Sequence, residues 1–356
     1  MKKNIVFFSK TAEHDVSITS AYVVMKWLKK IPDYEVFPIY ITNKGKWIYH
    51  KEFSDIKTIK DFDTKSQELS INMENDNKMH LLINKKMFCN KTEITLDACF
   101  HVLHLAEDSI QLCELLEVPY VPILSTTLDK IITKDILKIN NFPIVPYIHF
   151  EKTNIKEIEK LLKYPMFVKP YNLSSIISKV NNTQELKDAI EVAEHFSNEI
   201  IVEQVNNLIE LNCAVYEKDK IITSLVEQPV ANADFLSFEE KYIISDNTMT
   251  NKKKVKIPAE IPDNKTKDIK EMATKIFKIF KLAPRIDFLY DEKEDNLYVN
   301  EINPIPAMQV HLWEKSTTQT EFFKDLIESA ITQNERRKVN IDFKSNILDH
   351  TISFMK

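Results

Sequence analysis

Glycine is almost missing from this chain. Its 356 residues contain a single one, Gly45, where average usage gives roughly 25 in a chain of this length. Glycine supplies positive φ and close backbone approach to phosphate, so any phosphate-binding segment here has to work without it. Cysteine is scarce as well. Cys89, Cys99, Cys113 and Cys213 form no C-x-x-C pair and have no histidine at zinc-ligand spacing. They read as small buried hydrophobes in a reducing compartment, and no metal is inferred from them. A basic surplus is absent: 48 Lys and Arg against 53 Asp and Glu leave a net charge of −5, which argues against nucleic acid as the main partner. No apolar run is long enough to span a bilayer, and the one in "MKKNIVFFSKTAEHD" is too short for a signal peptide. The expected location is the cytoplasm, with no membrane partner.

What is present is ordinary globular material, 44% apolar and 28% charged. The length suggests two or three packed subdomains. "KNIVFFS" reads as a buried strand, "SITSAYVVMKWLKK" as a helix and "YEVFPIYI" as a second strand. This β-α-β opening implies a doubly wound α/β lobe, continued through "ACFHVLHL" and "SIQLCELLE". Residues 51–98 are polar and irregular, and read as an insertion of short strands and loop. From "TTLDKIITKDILKIN" onward, short strands alternate with amphipathic helices. After Leu211 come two antiparallel hairpins, "LNCAVYEKDKIITSLVEQP" and "RIDFLYDEKEDNLYVNEIN", with the helix "NKTKDIKEMATKIFKIFKL" between them.

The second hairpin carries the chemistry. Asp287 lies on its first strand, and Glu301 and Asn303 lie two apart on the next, on one face. Oxygen ligands without histidine or thiolate suit Mg²⁺, which keeps waters and takes further ligands from substrate phosphates. Two carboxylates on a hairpin more often face solvent. Here the neighbours Ile286, Phe288, Val299 and Ile302 are apolar, which favours a lined cleft. Upstream, Lys169 in "FVKP" can neutralise phosphate, and Glu203 and Glu210 can take ribose hydroxyls or an adenine amino group. Each of these residues taken alone reads as a surface charge.

Their order along the chain resembles the D-alanine–D-alanine ligase family of ATP-grasp enzymes over nearly the whole sequence. "AEHDVSITSA" is similar to that family's E-x-E/D-V-S signature, and "VLH" with "EDSIQLCELLEVPY" to its H-G…E-D-G…Q…L-E…P-Y segment. "LDKIITK" resembles D-K-x-x-x-K, "FVKPYNLSSIISKV" F-V-K-P…G-S-S-V-G, and "FLSFEEKY" F-Y-D-Y-x-x-K-Y. "PRIDFLY" and "NEINPIPAM" resemble R-x-D-F and N-E-I-N-T-x-P-G. The resemblance implies an ATP-grasp fold: an N-terminal α/β lobe (1–125), a central subdomain (126–217), a C-terminal subdomain with the metal ligands (218–340) and a tail (341–356). It implies a cytoplasmic carboxylate–amine ligase of peptidoglycan precursor synthesis, forming a dipeptide through an acyl phosphate, with ATP and two Mg²⁺ ions (Mn²⁺ as an alternative), D-alanine as first substrate and a homodimer.

The same resemblance implies roles by position. Asp287, Glu301 and Asn303 would hold metal. Lys130 and Lys169 would contact phosphates, Glu203 the adenine and Glu210 the ribose. Glu13 would hold the first substrate's ammonium, Ser174 would orient that region, and His104 would stand near the first substrate. Lys241 and Tyr242 would lie on a closing loop, Arg285 would stabilise the oxyanion, and Ala307 would offer its N–H to the reacting carbonyl.

The departures from the family are specific. Ser9 and Lys10 replace Gly-Gly, "YNLSSIIS" lacks both loop glycines, and Pro304 and Ala307 replace threonine and glycine. Leu208 and Ile209 stand where Gly and Arg are common, and Leu312 replaces a serine that helps bind the second substrate's carboxylate. Two alternatives therefore stand beside the leading reading: a ligase with a different second substrate, and a non-catalytic ATP-binding relative.

Overall fold

The computed structural model describes residues 2–11, 24–41, 47–49, 67–73, 79–83, 92–104, 107–121, 129–150, 155–171, 177–204, 208–229, 255–281, 284–303 and 306–337. The N-terminal sheet has eight strands: β1 (Lys3–Thr11), β2 (Tyr34–Ile41), β3 (Trp47–Tyr49), β4 (Gln67–Met73), β5 (Met79–Ile83), β6 (Thr92–Thr95), β7 (Ala98–His104) and β8 (Tyr120–Val121). Their order is β6-β5-β4-β3-β2-β1-β7-β8. The four strands β2, β1, β7 and β8 pair in parallel, whereas β2 through β6 form an antiparallel meander.

The doubly wound expectation is met by the parallel half, and the short strands expected within residues 51–98 extend the sheet in antiparallel fashion. Residues 51–98 contain three strands that widen the sheet. The difference is chemical: a parallel strand covered on both faces reads as an apolar run such as "KNIVFFS", while "QELSINM" alternates and lacks that signal.

Ile5, Ala98, Phe100 and Val102 share one apolar core with the helical residues Val24 and Leu28. A second core is formed by Ile39, Ile41, Ile94 and Cys99 with Cys113 of α1 (Glu107–Leu115). The remainder of the helix expected from "SITSAYVVMKWLKK" lies outside the described residues.

Helix α2 (Lys130–Ile139) leads into the central sheet, ordered β11-β10-β12-β9 and wholly antiparallel. Its strands are β9 (Tyr147–Phe150), β10 (Met166–Pro170), β11 (Ser178–Val180) and β12 (Ile200–Gln204). Ile158 of α3 (Ile155–Leu161) and Leu186, Ala189, Ile190 and Ala193 of α4 (Thr183–Glu194) pack against Met166, Val168 and Val202.

The last sheet is ordered β14-β13-β17-β18, from β13 (Ile209–Glu217), β14 (Ile221–Thr223), β17 (Arg285–Asp291) and β18 (Asn296–Asn303). A two-strand ribbon, β15 (Gln228–Pro229) with β16 (Val255–Lys256), flanks it. Both expected hairpins form. The expected division at 217/218 falls inside this sheet, between the paired strands β13 and β14.

Helix α5 (Asp263–Phe280) covers one face of that sheet with Ile269, Ala273, Ile276, Phe277 and Phe280, spaced at helical period. Full burial of each large apolar side chain contributes about 1.5–3 kcal/mol. Beyond β18 comes a 3-10 segment (Pro306–Trp313), and then α6 (Gln319–Arg337) returns to the N-terminal sheet. Leu312, expected beside the second substrate, is 2% exposed and packs in that N-terminal core with Trp313, Phe322 and Phe323. No helix among the described residues is long and apolar enough to cross a membrane.

The shortage of glycine has a visible counterpart. Glu117, Asn141, Lys281 and Asp295 take positive φ. Lys281, at φ 54°, ends α5 in the left-handed conformation, and its N–H donates to the Phe277 carbonyl at 2.7 Å. Glycine is the usual residue at such a helix end, and a residue with a Cβ costs about 1–2 kcal/mol there.

Two outcomes follow. Lys281→Gly should raise the unfolding free energy in urea by up to about 1 kcal/mol; an unchanged or lower midpoint would contradict the strain. Leu312→Ala should lower it by about 2–5 kcal/mol, as a core truncation does. A near-zero cost would return that side chain to a cleft.

Candidate active site

The site is built on the face of the β13-β17-β18 sheet that α5 leaves uncovered. Strand alternation sends Leu211, Cys213, Ile286, Phe288, Val299 and Ile302 into the core under α5. The intervening polar residues go to the opposite face. Register sets them in two rows: Asn212 opposite Asp287 opposite Glu301, and Ala214 opposite Arg285 opposite Asn303. The register shifts beyond Asp287, so that Phe288 pairs with Val299 and Asn300 is the extra residue. This bulge lets Glu301 and Asn303 share a face while Val299 and Ile302 both stay in the core.

Asp287 and Arg285 form a two-pronged ion pair, with Nε to Oδ1 at 2.7 Å and Nη2 to Oδ2 at 2.8 Å. The Asn212 amide, in the orientation that satisfies its neighbours, adds a hydrogen bond to Asp287 Oδ1 at 3.0 Å. Burial alone would lower the Arg285 pKa, but Asp287 and the nearby Glu210 and Glu227 raise it well above its ordinary value. Glu227 is buried beside this row. Its backbone pairs with Asn212, and its Oε1 lies 2.9 Å from His311 Nε2. Burial pushes its carboxyl up, yet His311 and Arg285 hold it below the usual range.

A second group of charges faces in from the central sheet. Glu203 on β12 is 3% exposed and sits between two buried ammonium groups, Lys134 Nζ at 2.9 Å and Lys169 Nζ at 2.7 Å. Burial opposes its ionisation, but the two lysines win and its carboxyl is held far below the ordinary range. Oε2 accepts a hydrogen bond from Lys169, whereas Oε1, close as it is to Lys134, receives none that is aligned. Lys134 also reaches the Asn300 carbonyl at the bulge, 3.5 Å away, and lies over the Tyr147 ring, 5.3 Å from its centroid.

Lys130 opens α2 directly after the N-cap Asp129, whose Oδ1 accepts from Ile132 N at 2.8 Å. A cation at a helix N-terminus opposes the helix dipole, so local helix physics does not favour this placement. Loss of hydration, reinforced by Lys169 and Lys134 and opposed by Glu301 and Glu203, brings the Lys130 ammonium down to about 8. Tyr171, the first residue past β10, donates its hydroxyl to Asp129, tying the start of the expected phosphate loop to the start of α2. The segment after α2 docks on the hairpin through Val299 N to Pro143 O at 2.8 Å.

Lysines from α2 and β10 therefore converge on carboxylates from β12 and β18. Glu210 stands on β13 opposite Leu289, and His104 ends β7 opposite Thr11 at the carboxyl edge of the parallel strands. Ala307 lies in the 3-10 segment, and Leu312 lies in the core described above. Glu13, Ser174, Lys241 and Tyr242 lie outside the described residues.

Sequence reading missed Asn212, Glu227 and Lys134. Lys134 stands in "LDKIITK", where its wider motif was visible but no role for it was. The bulge also had a trace, the two-then-three spacing of Leu297, Val299 and Ile302.

The donor set fits the chemistry of a nucleotide with a hard cation. Asp287, Glu301 and Asn303 offer oxygen only, and among the described residues no group of three His, Cys, Asp or Glu forms a ready-made metal cage. Such a set suits an ion that completes its shell with phosphate and water. The unaligned Glu203 Oε1 can accept from a further donor.

Comparison with known proteins identifies the family. Residues 2–122 match the family model described as D-ala D-ala ligase N-terminus, and residues 136–332 the one described as D-ala D-ala ligase C-terminus. The D-alanine–D-alanine ligase of Thermosipho melanesiensis is 34% identical over 97% of both chains. That of Thermosipho africanus is 35% identical, with the same coverage. Among solved structures, the VanG D-Ala:D-Ser ligase from Enterococcus faecalis is 26% identical, with a TM-score of 0.75 over 93% of this chain and all of that one. The D-alanine–D-alanine ligase from Coxiella burnetii, at 21% identity and a TM-score of 0.77 over 94% of this chain and 96% of its own, shares the fold. With both halves matched and relatives above 30% identity along nearly its full length, the chain belongs to the D-alanine–D-alanine ligase family.

Proposed function

We propose that this chain joins two molecules of D-alanine at the expense of ATP, supplying a peptidoglycan precursor in the cytoplasm. The observation that carries the reading is the meeting of a lysine group with the hairpin carboxylates, Lys134 and Lys169 on Glu203 and Lys130 beside Glu301, which stands opposite Asp287, within a member of this family. In this reading the first D-alanine's carboxylate is activated as an acyl phosphate, which the amine of the second attacks. Burial of Leu312 supports D-alanine as acceptor over a changed one, because that side chain serves packing. A homodimer is part of the same proposal, as is the division into an N-terminal lobe and two ATP-binding subdomains.

Lys130 and Lys169 would hold the phosphates, Glu203 the adenine and Glu210 the ribose. Asp287, Glu301 and Asn303 would hold Mg²⁺, which would supply positive charge to offset that of the transferring phosphoryl group. Glu13 would bind the ammonium of the first amino acid, with Ser174 and His104 orienting that end. Lys241 and Tyr242 would close over the site and exclude water.

Arg285 uses Nε and one Nη2 hydrogen on Asp287. Its remaining N–H groups are left for an oxyanion, together with the backbone N–H of Ala307. In this reading the Asp287 carboxylate orients Arg285 and would also ligate metal.

The test is release of ADP and phosphate from ATP and Mg²⁺, with the product identified by mass spectrometry. D-Alanine alone should support turnover and yield D-alanyl-D-alanine. Turnover only with another amine would replace the acceptor, and ATP binding without turnover across a panel of D- and L-amino acids would leave a binding protein. Arg285→Lys keeps the charge but loses the fork, and kcat should fall about 10²-fold. Unchanged kcat would remove the oxyanion role.

A further inference from the structure

Glu203 has two counter-ions held in very different ways. Lys134 is 3% exposed and enclosed by three groups: the Glu203 carboxylate at 2.9 Å, the Asn300 carbonyl at 3.5 Å and the Tyr147 ring at 5.3 Å. Tyr147 is itself fixed, its hydroxyl donating to Asp135 at 2.8 Å. Lys169, near the end of β10 where the chain turns into the expected phosphate loop, donates to Glu203 Oε2 and to nothing else among the described residues.

We propose that Lys134 is a positioning residue, the permanent counter-ion of Glu203, whose presence lets Lys169 leave that carboxylate for an incoming phosphate. This inference rests on the reading that Lys169 contacts nucleotide phosphate. A buried carboxylate stripped of its one cation is strongly unfavourable, so a simple Lys169–Glu203 pair would resist giving up its lysine. With Lys134 in place, Glu203 carries one ammonium more than it needs. Transfer of Lys169 to an anion leaves a neutral pair behind, and Lys134 keeps the carboxylate ionised and fixed with Oε1 open to a donor. Lys134 touches no substrate in this scheme. Its contact with the Asn300 carbonyl, one residue before Glu301, also fixes the bulge that aims the proposed metal ligands.

The experiment measures binding of ATP with Mg²⁺ by calorimetry, then steady-state kinetics, for the unmodified protein and four variants, Glu203→Gln among them. Lys134→Met should raise the Kd and KM for ATP about tenfold or more, with the KM for D-alanine little changed. Lys134→Arg, which keeps the charge, should recover most of the affinity. Lys134→Met combined with Glu203→Gln should bind ATP more tightly than Lys134→Met alone, because the carboxylate that traps Lys169 is gone; a merely structural lysine gives no such recovery.

If Lys134→Met is too unstable to purify, Lys134→Arg and the double variant carry the comparison against the unmodified protein and Glu203→Gln. The double variant binding ATP about as tightly as Glu203→Gln supports the assignment, and a further loss overturns it. Unchanged ATP affinity in Lys134→Met, or a double variant no better than it, overturns the role of Lys134 while leaving the ligase reading intact. Failure of the unmodified protein to bind ATP overturns both.

Discussion

A carboxylate with almost no water around it, held between two ammonium groups, is the constraint on which the rest of this site depends. Removing three charges from water costs several kcal/mol for each ion, repaid only where geometry is close and the partners are fixed. Here the partners come from three separate elements: Glu203 from β12, Lys169 from β10 and Lys134 from α2. Satisfying one carboxylate therefore fixes the angle at which α2 crosses the central sheet. It also fixes Lys130, one turn earlier on the same helix, against Glu301 of the C-terminal hairpin.

The hairpin answers with a different device. Its acidic row is aligned by strand register, and its one irregularity, the bulge at Asn300, presents to Lys134 a backbone carbonyl that the ladder would otherwise occupy. Arg285 and Asp287 are neutralised against each other and steadied by Asn212, so the row does not repel itself in the absence of a cation. The lysine group keeps more positive charge than Glu203 alone offsets, and Lys130 sets part of it against Glu301 of the hairpin.

Much of this was legible in the chain. The pairing of Asp287 with Glu301 and Asn303 follows from a two-residue repeat and a hairpin turn, and the family motifs placed Lys130, Lys169 and Glu203 in order. What was not legible depends on tertiary packing. Lys134 reads in sequence as one more lysine on an amphipathic helix, and only the fold shows that its side of the helix is enclosed. Leu312 reads as a lost serine at a binding site until the 3-10 segment turns it into the core with Trp313. The short strands expected within residues 51–98 could not be placed or paired from sequence, because QELSINM and MHLLI are short and only their register, through β3 onto β2, shows that they widen the sheet. The scarcity of glycine was plain from the composition. That Lys281 and Asp295 would take left-handed positions was not, since other residues can fill such a turn when the surrounding contacts cover the strain.

The return of α6 to the N-terminal sheet has a consequence for how the protein is made. Phe322, Phe323, Leu326 and Ile327 complete the core beneath Ile5 and Phe100, and Lys3 on the first strand is bound to Glu328 on this helix at 2.6 Å. Roughly 200 residues separate β8 from α6, on the order of ten to forty seconds of synthesis at ordinary rates of translation. For that interval the face of the N-terminal sheet that holds Phe100 is covered only in part, by Val24, Leu28 and their neighbours, while the central sheet, whose described core draws on its own helices, can close as soon as it emerges. A sheet made well before α6 is thus among the last parts to finish folding, and the growing chain has to keep Phe100 and its neighbours from other partners until its own distant helix arrives.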